Sequence, residues 1–407
     1  MSGSDIKSSD LKGNSKNSVF DVFKTFLLLG LTSFGGPVAH LGYFRKELIE
    51  KQKWVSESQY AQLLTICQFI PGPASSQVGF ALGLLRAGWL GAISAFVAFT
   101  FPSVILLIAF VSMLPLMSGE LADAVIHGLK LVACAVVADA VWGMAKKLCP
   151  DLTHRLIALA VVATLFLLNT VWAQLLVIVM GAVLGMLFIR QVTTDLVSNI
   201  QVNYSTGFAL WLLALFVILL FGLPLIAGNQ DLLVIAQTFY HAGALVFGGG
   251  HVVLPLLQES VVTTGMVSSE DFLAGYGASQ AIPGPMFAFA AYLGALIPTD
   301  HSIYLTALTA LLFMFLPGFL LVAVALPFWQ KISNNQTAMN AVSGVNSAVV
   351  GLLIVVLYDP IFTTSVLSIV DWFIAIAGIA ILTFFKRSPL WVVLWCIAMS
   401  LLSSYFY

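Results

Sequence analysis

Apolar residues in this chain come in long runs, and polar positions between the runs are sparse. A membrane-spanning helix needs about 20 apolar residues in succession. Runs that meet or approach this length lie at 20–42, 58–85, 88–114, 121–145, 155–169 and 171–189, then at 207–226, 232–254, 270–297, 302–328, 338–358, 365–385 and 389–406. The pattern predicts an all-α polytopic membrane protein of thirteen segments, arranged as six, one extra and six. Only Asn169-Thr170 separates 155–169 from 171–189, which predicts a tight helical hairpin. The first 17 residues are polar and read as a disordered cytoplasmic tail.

The runs are interrupted at matched places in the two halves. Phe34-Gly35-Gly36 is followed by Gln68-Phe69-Ile70-Pro71-Gly72-Pro73, and Phe247-Gly248-Gly249 by Gln280-Ala281-Ile282-Pro283-Gly284-Pro285. Phe to Gln is 34 residues in one copy and 33 in the other, and Val55-Ser56 and Val267-Ser268 also match. We read an N-terminal repeat at 18–190, a linker with one extra helix at 191–231, and a C-terminal repeat at 232–407. Seven segments precede the second repeat, so it starts from the opposite side of the bilayer. The repeats are therefore expected to be inverted, related by a pseudo-two-fold axis in the membrane plane.

Basic residues orient the chain. With Lys7, Lys12, Lys16 and Lys24 inside, the loops holding Arg86, Lys146-Lys147 with Arg155, Arg190, Lys331 and Lys386-Arg387 fall inside as well, and the C-terminus falls in the periplasm. The exception is Arg45-Lys46 to Lys53, which lies outside if 20–42 crosses fully. Either the segments are simple spans and this loop disobeys, or 20–42 and 58–85 are both re-entrant, bent at their breaks. Residues 43–54 are amphipathic and read as an interfacial helix.

Composition narrows the function. The chain is 60% hydrophobic and 9% charged, against about 25% charged in soluble proteins. A net charge of -1 gives no reason to expect nucleic acid. The four cysteines are scattered, with no metal-ligand spacing, and neither an HExxH motif nor a phosphate-binding GxxxxGK occurs. An enzyme, a metal site, a cofactor and an ATP-driven pump are all disfavoured.

The breaks carry the candidate chemistry. Proline inside a helix removes a hydrogen bond and clashes with the preceding turn, so Pro71-Gly72-Pro73 and Pro283-Gly284-Pro285 each end one helix and open another. A helix N-terminus favours anions. Ser75, Ser76 and Gln77 follow the first break and offer donors, whereas Met286-Phe287-Ala288-Phe289 follow the second and offer none. The first repeat is expected to supply most anion contacts. Gly35 and Gly36, with Gly248, Gly249 and Gly250, are candidate hinges, and close helix packing explains them equally well. Lys130 sits deep in a run, needs a partner or a wet cavity, and aligns with Asn346 through Gly128-Leu129-Lys130 and Gly344-Val345-Asn346. Lys130, Asn346, Gln68 and Gln280 complete a candidate site for a dianion, although pairing of Lys130 with Asp139 would be purely structural. His251, His40 and Asp139 are candidates for carrying a proton. These features point to an anion-handling transporter.

The glycine breaks, the Arg45 helix, Trp54, Val55, and the paired Gln68–Pro73 and Gln280–Pro285 motifs resemble the chromate ion transporter family in its long, two-domain form. The resemblance covers the chain from about residue 20 to its end. It implies a multi-pass protein of the bacterial inner membrane that exports chromate, depends on the proton gradient and gives chromate resistance. The alternatives are transport or exchange of sulfate or another oxyanion, and a passive anion channel. Lipid is the expected environment, and a homodimer is compatible with this reading.

Overall fold

The computed structural model describes residues 18–34, 36–114, 119–168, 173–189, 200, 202–228, 230–246, 253–333 and 335–406. No strand occurs among them. The first half holds α1 (Val19–Thr32), α2 (Gly36–Phe44), α3 (Glu57–Phe69), α4 (Ala74–Met113), α5 (Glu120–Leu148), α6 (Leu152–Leu167) and α7 (Ala173–Phe188). The extra helix is α8 (Thr206–Ile226). The second half holds α9 (Asp231–Leu245), α10 (Val253–Leu257), α11 (Ser269–Ala281), α12 (Phe289–Leu296), α13 (Ile303–Ser333), α14 (Gln336–Val356), α15 (Thr363–Ser365), α16 (Ile369–Thr383) and α17 (Pro389–Phe406). Five stretches among the described residues are long and apolar enough to cross a membrane: 74–113, 120–148, 206–226, 303–329 and 336–365. Apolar side chains such as Trp211, Ile218, Phe221 and Leu225 on α8 face outward, as a lipid-facing surface requires. This is an all-α, multi-pass membrane protein.

Local chemistry sets the helix starts. Ser56 accepts from the Gln59 N–H and caps α3, and Ser268 accepts from the Asp271 N–H and caps α11. The matched Val-Ser pairs are thus matched N-caps.

The runs at 20–42 and 58–85 each fold into two pieces. α1 ends at Ser33, Gly36 (φ +76°) opens α2, and the rings of Phe44 and Trp54 come within 5.5 and 6.1 Å of Phe26. The residues flanking the second run touch, the Arg86 guanidinium lying over the Trp54 ring at 5.4 Å. α4 is not straight either. Ala87 and Gly88 (φ +67°) are non-helical, and a Cβ on Gly83 would lie 2.5 Å from the Gly91 carbonyl oxygen. Residues eight apart on a straight helix are about 12 Å apart, so the two arms of α4 fold against each other.

The halves interlock through reciprocal contacts. The Gly72 N–H donates to the Val246 carbonyl at 2.6 Å, and the Gly284 N–H donates to the Ser33 carbonyl at 3.0 Å. Ser33 and Val246 each immediately precede a Phe-Gly-Gly motif. Gly30 lies against Phe99 and Gly243 against Met314, each three residues before a proline, Pro102 or Pro317. Gly128 of α5 packs on Ile397 of α17, and Gly344 of α14 packs on Gly181 and Gly185 of α7. Small residues at these crossings let the backbones touch. The Gly72–Val246 contact is returned by Gly284–Ser33. α5 and α14 run antiparallel, since Ser347 Oγ donates to the Leu148 carbonyl at 3.4 Å while α15, beyond α14, packs further back along α5.

Candidate functional site

The two Pro-Gly-Pro breaks leave backbone groups without intrahelical partners, and the protein satisfies them internally. At the first, the Gln77 amide donates to the Pro71 carbonyl at 2.8 Å and to Gly318 of α13 at 3.0 Å. At the second, Ser103 Oγ donates to the Pro283 carbonyl at 2.7 Å. Ser103 and Gly318 both follow the matched prolines 102 and 317. In one half the position itself supplies the donor; in the other it is a glycine that makes room for Gln77. Pro73, Ser75, Ser76 and Pro285 are buried at these joints, and Ser76 Oγ has no partner. Of these, Pro73 packs on Gly318 of the other half.

Gln68 lies elsewhere. It is exposed at the end of α3 and opens onto a cavity of about 190 Å³. Thr65, Gln68 and Phe69 form one wall, Lys147, Leu148, Pro150 and His154 a second, and Met339, Val342, Ser343 and Asn346 a third. Lys147 Nζ stands 3.5 Å from Gln68 Oε1, too long for a strong bond, so its charge remains available to the cavity. The Asn346 side-chain oxygen is buried with no protein partner. An amide can present either end to a ligand. One cation and two amides around one cavity make a donor set suited to an oxyanion.

Asp151 caps α6 by accepting from the His154 N–H at 3.0 Å. His154, 3% exposed, is held between Asp151 Oδ1 on Nδ1 (2.7 Å) and Ser343 Oγ on Nε2 (2.9 Å). The bond from His154 holds the Asp151 carboxyl below its usual range.

The corresponding place, where α11 of the second half meets α5 of the first, is filled differently. Gln280 is buried, with Ser279 Oγ and Met286 sulfur each 3.4 Å from its amide nitrogen. Gly277 packs directly on the Leu129 backbone. Lys130 Nζ pairs with Glu270 at 2.7 Å, joining α5 to α11, while Asp139 accepts from Thr383 Oγ1 at 2.7 Å. His127, aligned with Ser343, pairs with Asp371 at 2.8 Å. Asp371 is the third residue past the cap of α16, as His154 is of α6.

Of the candidate dianion ligands, the structure brings Gln68 of the first half beside Asn346 of the second, and places Lys130 on α5 and Gln280 on α11 at the corresponding joint away from that cavity. His40 is 1% exposed, edge-on to Phe99 at 5.4 Å. Gly35, Gly248, Gly249, Gly250 and His251 lie outside the described residues. Sequence reasoning did not single out Lys147, His154, Ser343 or Thr65 as site residues. The Asp-x-x-His spacing at an N-cap was the available signal.

Comparison with known proteins places these features. The chromate transporter family model matches residues 20–186 and again 233–401, one match for each half. The chain belongs to the chromate transporter family. Within it, the chain is 28% identical over 336 residues to a probable chromate transport protein of Synechococcus elongatus, covering 81% of both chains. It is 27% identical to a chromate transport protein of Pseudomonas aeruginosa, covering 82% of this chain and 78% of that one. An uncharacterized transporter of Methanocaldococcus jannaschii is 25% identical, over 95% and 94% of the two chains. No solved structure matches.

Proposed function

We propose that this protein is a secondary transporter that exports chromate from the cell using the proton gradient. The observation that carries the reading is the cavity into which Gln68, Lys147 and Asn346 open together. Chromate is a tetrahedral dianion, and a lysine flanked by amides complements it without the burden of a fully buried, unpaired charge. Sulfate has the same shape and charge and is the natural competitor. The names of the relatives favour chromate.

The reciprocal contacts and the antiparallel α5 and α14 support an inverted pair of repeats, 18–190 and 232–407, with the halves moving against each other for alternating access. The contact between Arg86 and Trp54 supports re-entry of 20–42 and 58–85 from the cytoplasmic side. Arg45, Lys46, Lys51, Lys53 and Arg86 then all lie inside, and the positive-inside rule has no exception. On this topology Lys147 and the cavity face the cytoplasm, where an exporter collects its substrate.

Uptake of labelled chromate into inverted membrane vesicles tests the reading, with and without a proton gradient and with excess sulfate. Gradient-driven uptake that falls in Gln68→Ala and Lys147→Gln is the expected result. Uptake indifferent to the gradient would make the protein a channel or exchanger. Uptake of sulfate without chromate would reassign the ion.

A further inference from the structure

We propose that the groove between α16 and α17, at the Lys386-Arg387 turn, binds one anionic phospholipid, with Arg387 on its phosphate and an acyl chain along Trp391, Leu394 and Trp395. The site is separate from the cavity beside Gln68, and it stands whatever ion that cavity carries.

The turn sets two cations side by side where α16 ends and α17 begins. Lys386 holds φ +50°, a conformation that few residues other than glycine adopt. The Arg387 N–H donates back to the Ile381 carbonyl at 3.1 Å, which ties the turn to the end of α16. Beside it, Ile381 and Phe385 face Trp391, Leu394 and Trp395 across a groove of about 450 Å³, a size within the ligand-site range of about 300–1,000 Å³. Trp395 is fixed in the wall, because its indole N–H donates to the Ile374 carbonyl of α16 at 3.1 Å. Arg387 is the one charged lining residue.

Apolar side chains are expected on any lipid-facing surface. This place differs in being concave and in holding a guanidinium that has no ion pair or side-chain hydrogen bond among the described residues. Other basic side chains are engaged: Arg45 with Glu57, Lys51 with Glu47, Lys146 over the Trp142 ring, and Arg155 with the carbonyls of Cys149 and Pro150. A guanidinium presents a rigid fork of donors that matches a phosphate. Tryptophan rings suit the boundary between headgroup and acyl chain. A phospholipid carries both parts in one molecule. A zwitterionic headgroup brings its own ammonium against Lys386 and Arg387, so the pair of cations selects a net negative one.

α5 fixes the level of the groove. Thr383 Oγ1 donates to Asp139 at 2.7 Å, about two turns before Lys146 and Lys147 end that helix. The groove therefore lies toward the face that carries Lys147. On the topology proposed above this is the cytoplasmic leaflet, whose anionic lipids attract basic residues at its surface.

Native mass spectrometry of the purified full chain tests the site, with phosphatidylglycerol and phosphatidylcholine of identical acyl chains added in turn. One phosphatidylglycerol should be held about tenfold more tightly than phosphatidylcholine. Arg387→Gln should remove most of that preference, and Trp391→Ala should weaken both lipids alike. Inorganic phosphate in excess should leave the lipid in place. Equal retention of the two lipids by the wild type overturns the proposal, as does a preference that survives Arg387→Gln in full, because the anionic lipid is then held elsewhere. Displacement by phosphate would make the site one for a free anion. A wild-type dimer that Trp391→Ala converts to a monomer would mean that a second copy covers the groove, not a lipid. Should Arg387→Gln fail to fold, undiminished lipid retention in Trp391→Ala overturns the groove as the site.

Discussion

The two Gln-x-x-Pro-Gly-Pro units share a plan and differ in what surrounds the glutamine. Around Gln68 the neighbours are Thr65, Asn346 and Lys147, and a polar cavity opens between them. Around Gln280 the neighbouring α11 surface is Gly277, seated on the Leu129 backbone, and the residue aligned with Asn346 is Lys130, locked to Glu270. One unit is open and the other shut. The same backbone device thus serves as a joint in both halves, and side-chain differences a few residues away decide which of the two joints opens onto a cavity. Repetition of a motif locates the moving parts, whereas asymmetry within the repeat locates the chemistry.

The largest effects should come from the joints, where the halves are alike. Gly72 (φ +127°) and Gly284 (φ +100°) hold conformations that L residues rarely adopt. A Cβ on Gly72 would lie 2.5 Å from the Gln77 amide nitrogen and 2.8 Å from Gly318 Cα, and one on Gly284 would strike Ser103 Oγ. Strain and overpacking together should cost about 2–6 kcal/mol in Gly72→Ala and in Gly284→Ala. Gly88→Ala is the control: its φ is +67° but nothing lies within 4 Å, so backbone strain alone, about 1–3 kcal/mol, is expected. Monodisperse yield in size-exclusion chromatography and the thermal midpoint report all three. Equal losses in Gly88→Ala and Gly72→Ala would mean that packing across the halves contributes little.

The ion pair of the shut unit should come next, and its two ends should not cost the same. Lys130 has a side chain 11% exposed, and that of Glu270 is 77% exposed. Removing the carboxylate leaves a near-buried ammonium unpaired, at a cost of about 3 kcal/mol. Removing the ammonium leaves a solvated carboxylate, for which a loss of about 1 kcal/mol or less is expected. Thermal midpoints of Glu270→Gln and Lys130→Gln decide it, and the reverse order would show that Lys130 reaches water by another route.

Much of this was legible in the sequence, for physical reasons that differ by feature. The paired breaks were, because proline and glycine act on the backbone alone and need no tertiary context. The matched Val-Ser caps were visible as a coincidence of spacing and became intelligible only as N-caps. The partner of Lys130 was not legible: Glu270 is 140 residues away, and nothing local separates it from Asp139. The cavity was half legible. Gln68 and Asn346 stood out through the repeat, but Lys147 and His154 have no repeat partners of their own type. Lys147 reads only as a charge of a cytoplasmic loop and His154 belongs to no motif, and their meaning depends on which helices α6 and α14 bring together.

Smaller effects separate the donors at the two joints. Gln77→Ala leaves the carbonyls of Pro71 and Gly318 without this donor, whereas Ser103→Ala affects only Pro283. A buried group left unpaired costs about 1–3 kcal/mol, so both variants should be destabilised, with Gln77→Ala the worse. Equal midpoints would place water at one of the carbonyls.

The smallest expected effect is the most informative about function, because it sets the two glutamines against each other directly. Gln68 is exposed to the cavity and holds only a 3.5 Å contact with Lys147, so Gln68→Ala should leave the thermal midpoint unchanged. Its amide should instead contribute to oxyanion binding as one neutral hydrogen bond does, about 0.5–1.5 kcal/mol, which is roughly a two- to tenfold rise in Kd. Gln280 is buried against Ser279 and Met286, so Gln280→Ala should lower the midpoint and leave Kd alone. Paired measurements of midpoint and Kd on both variants check this crossed pattern. If both variants lose affinity alike while staying folded, the oxyanion is bound by both units at once, and the open cavity is an antechamber to a central site rather than the site itself.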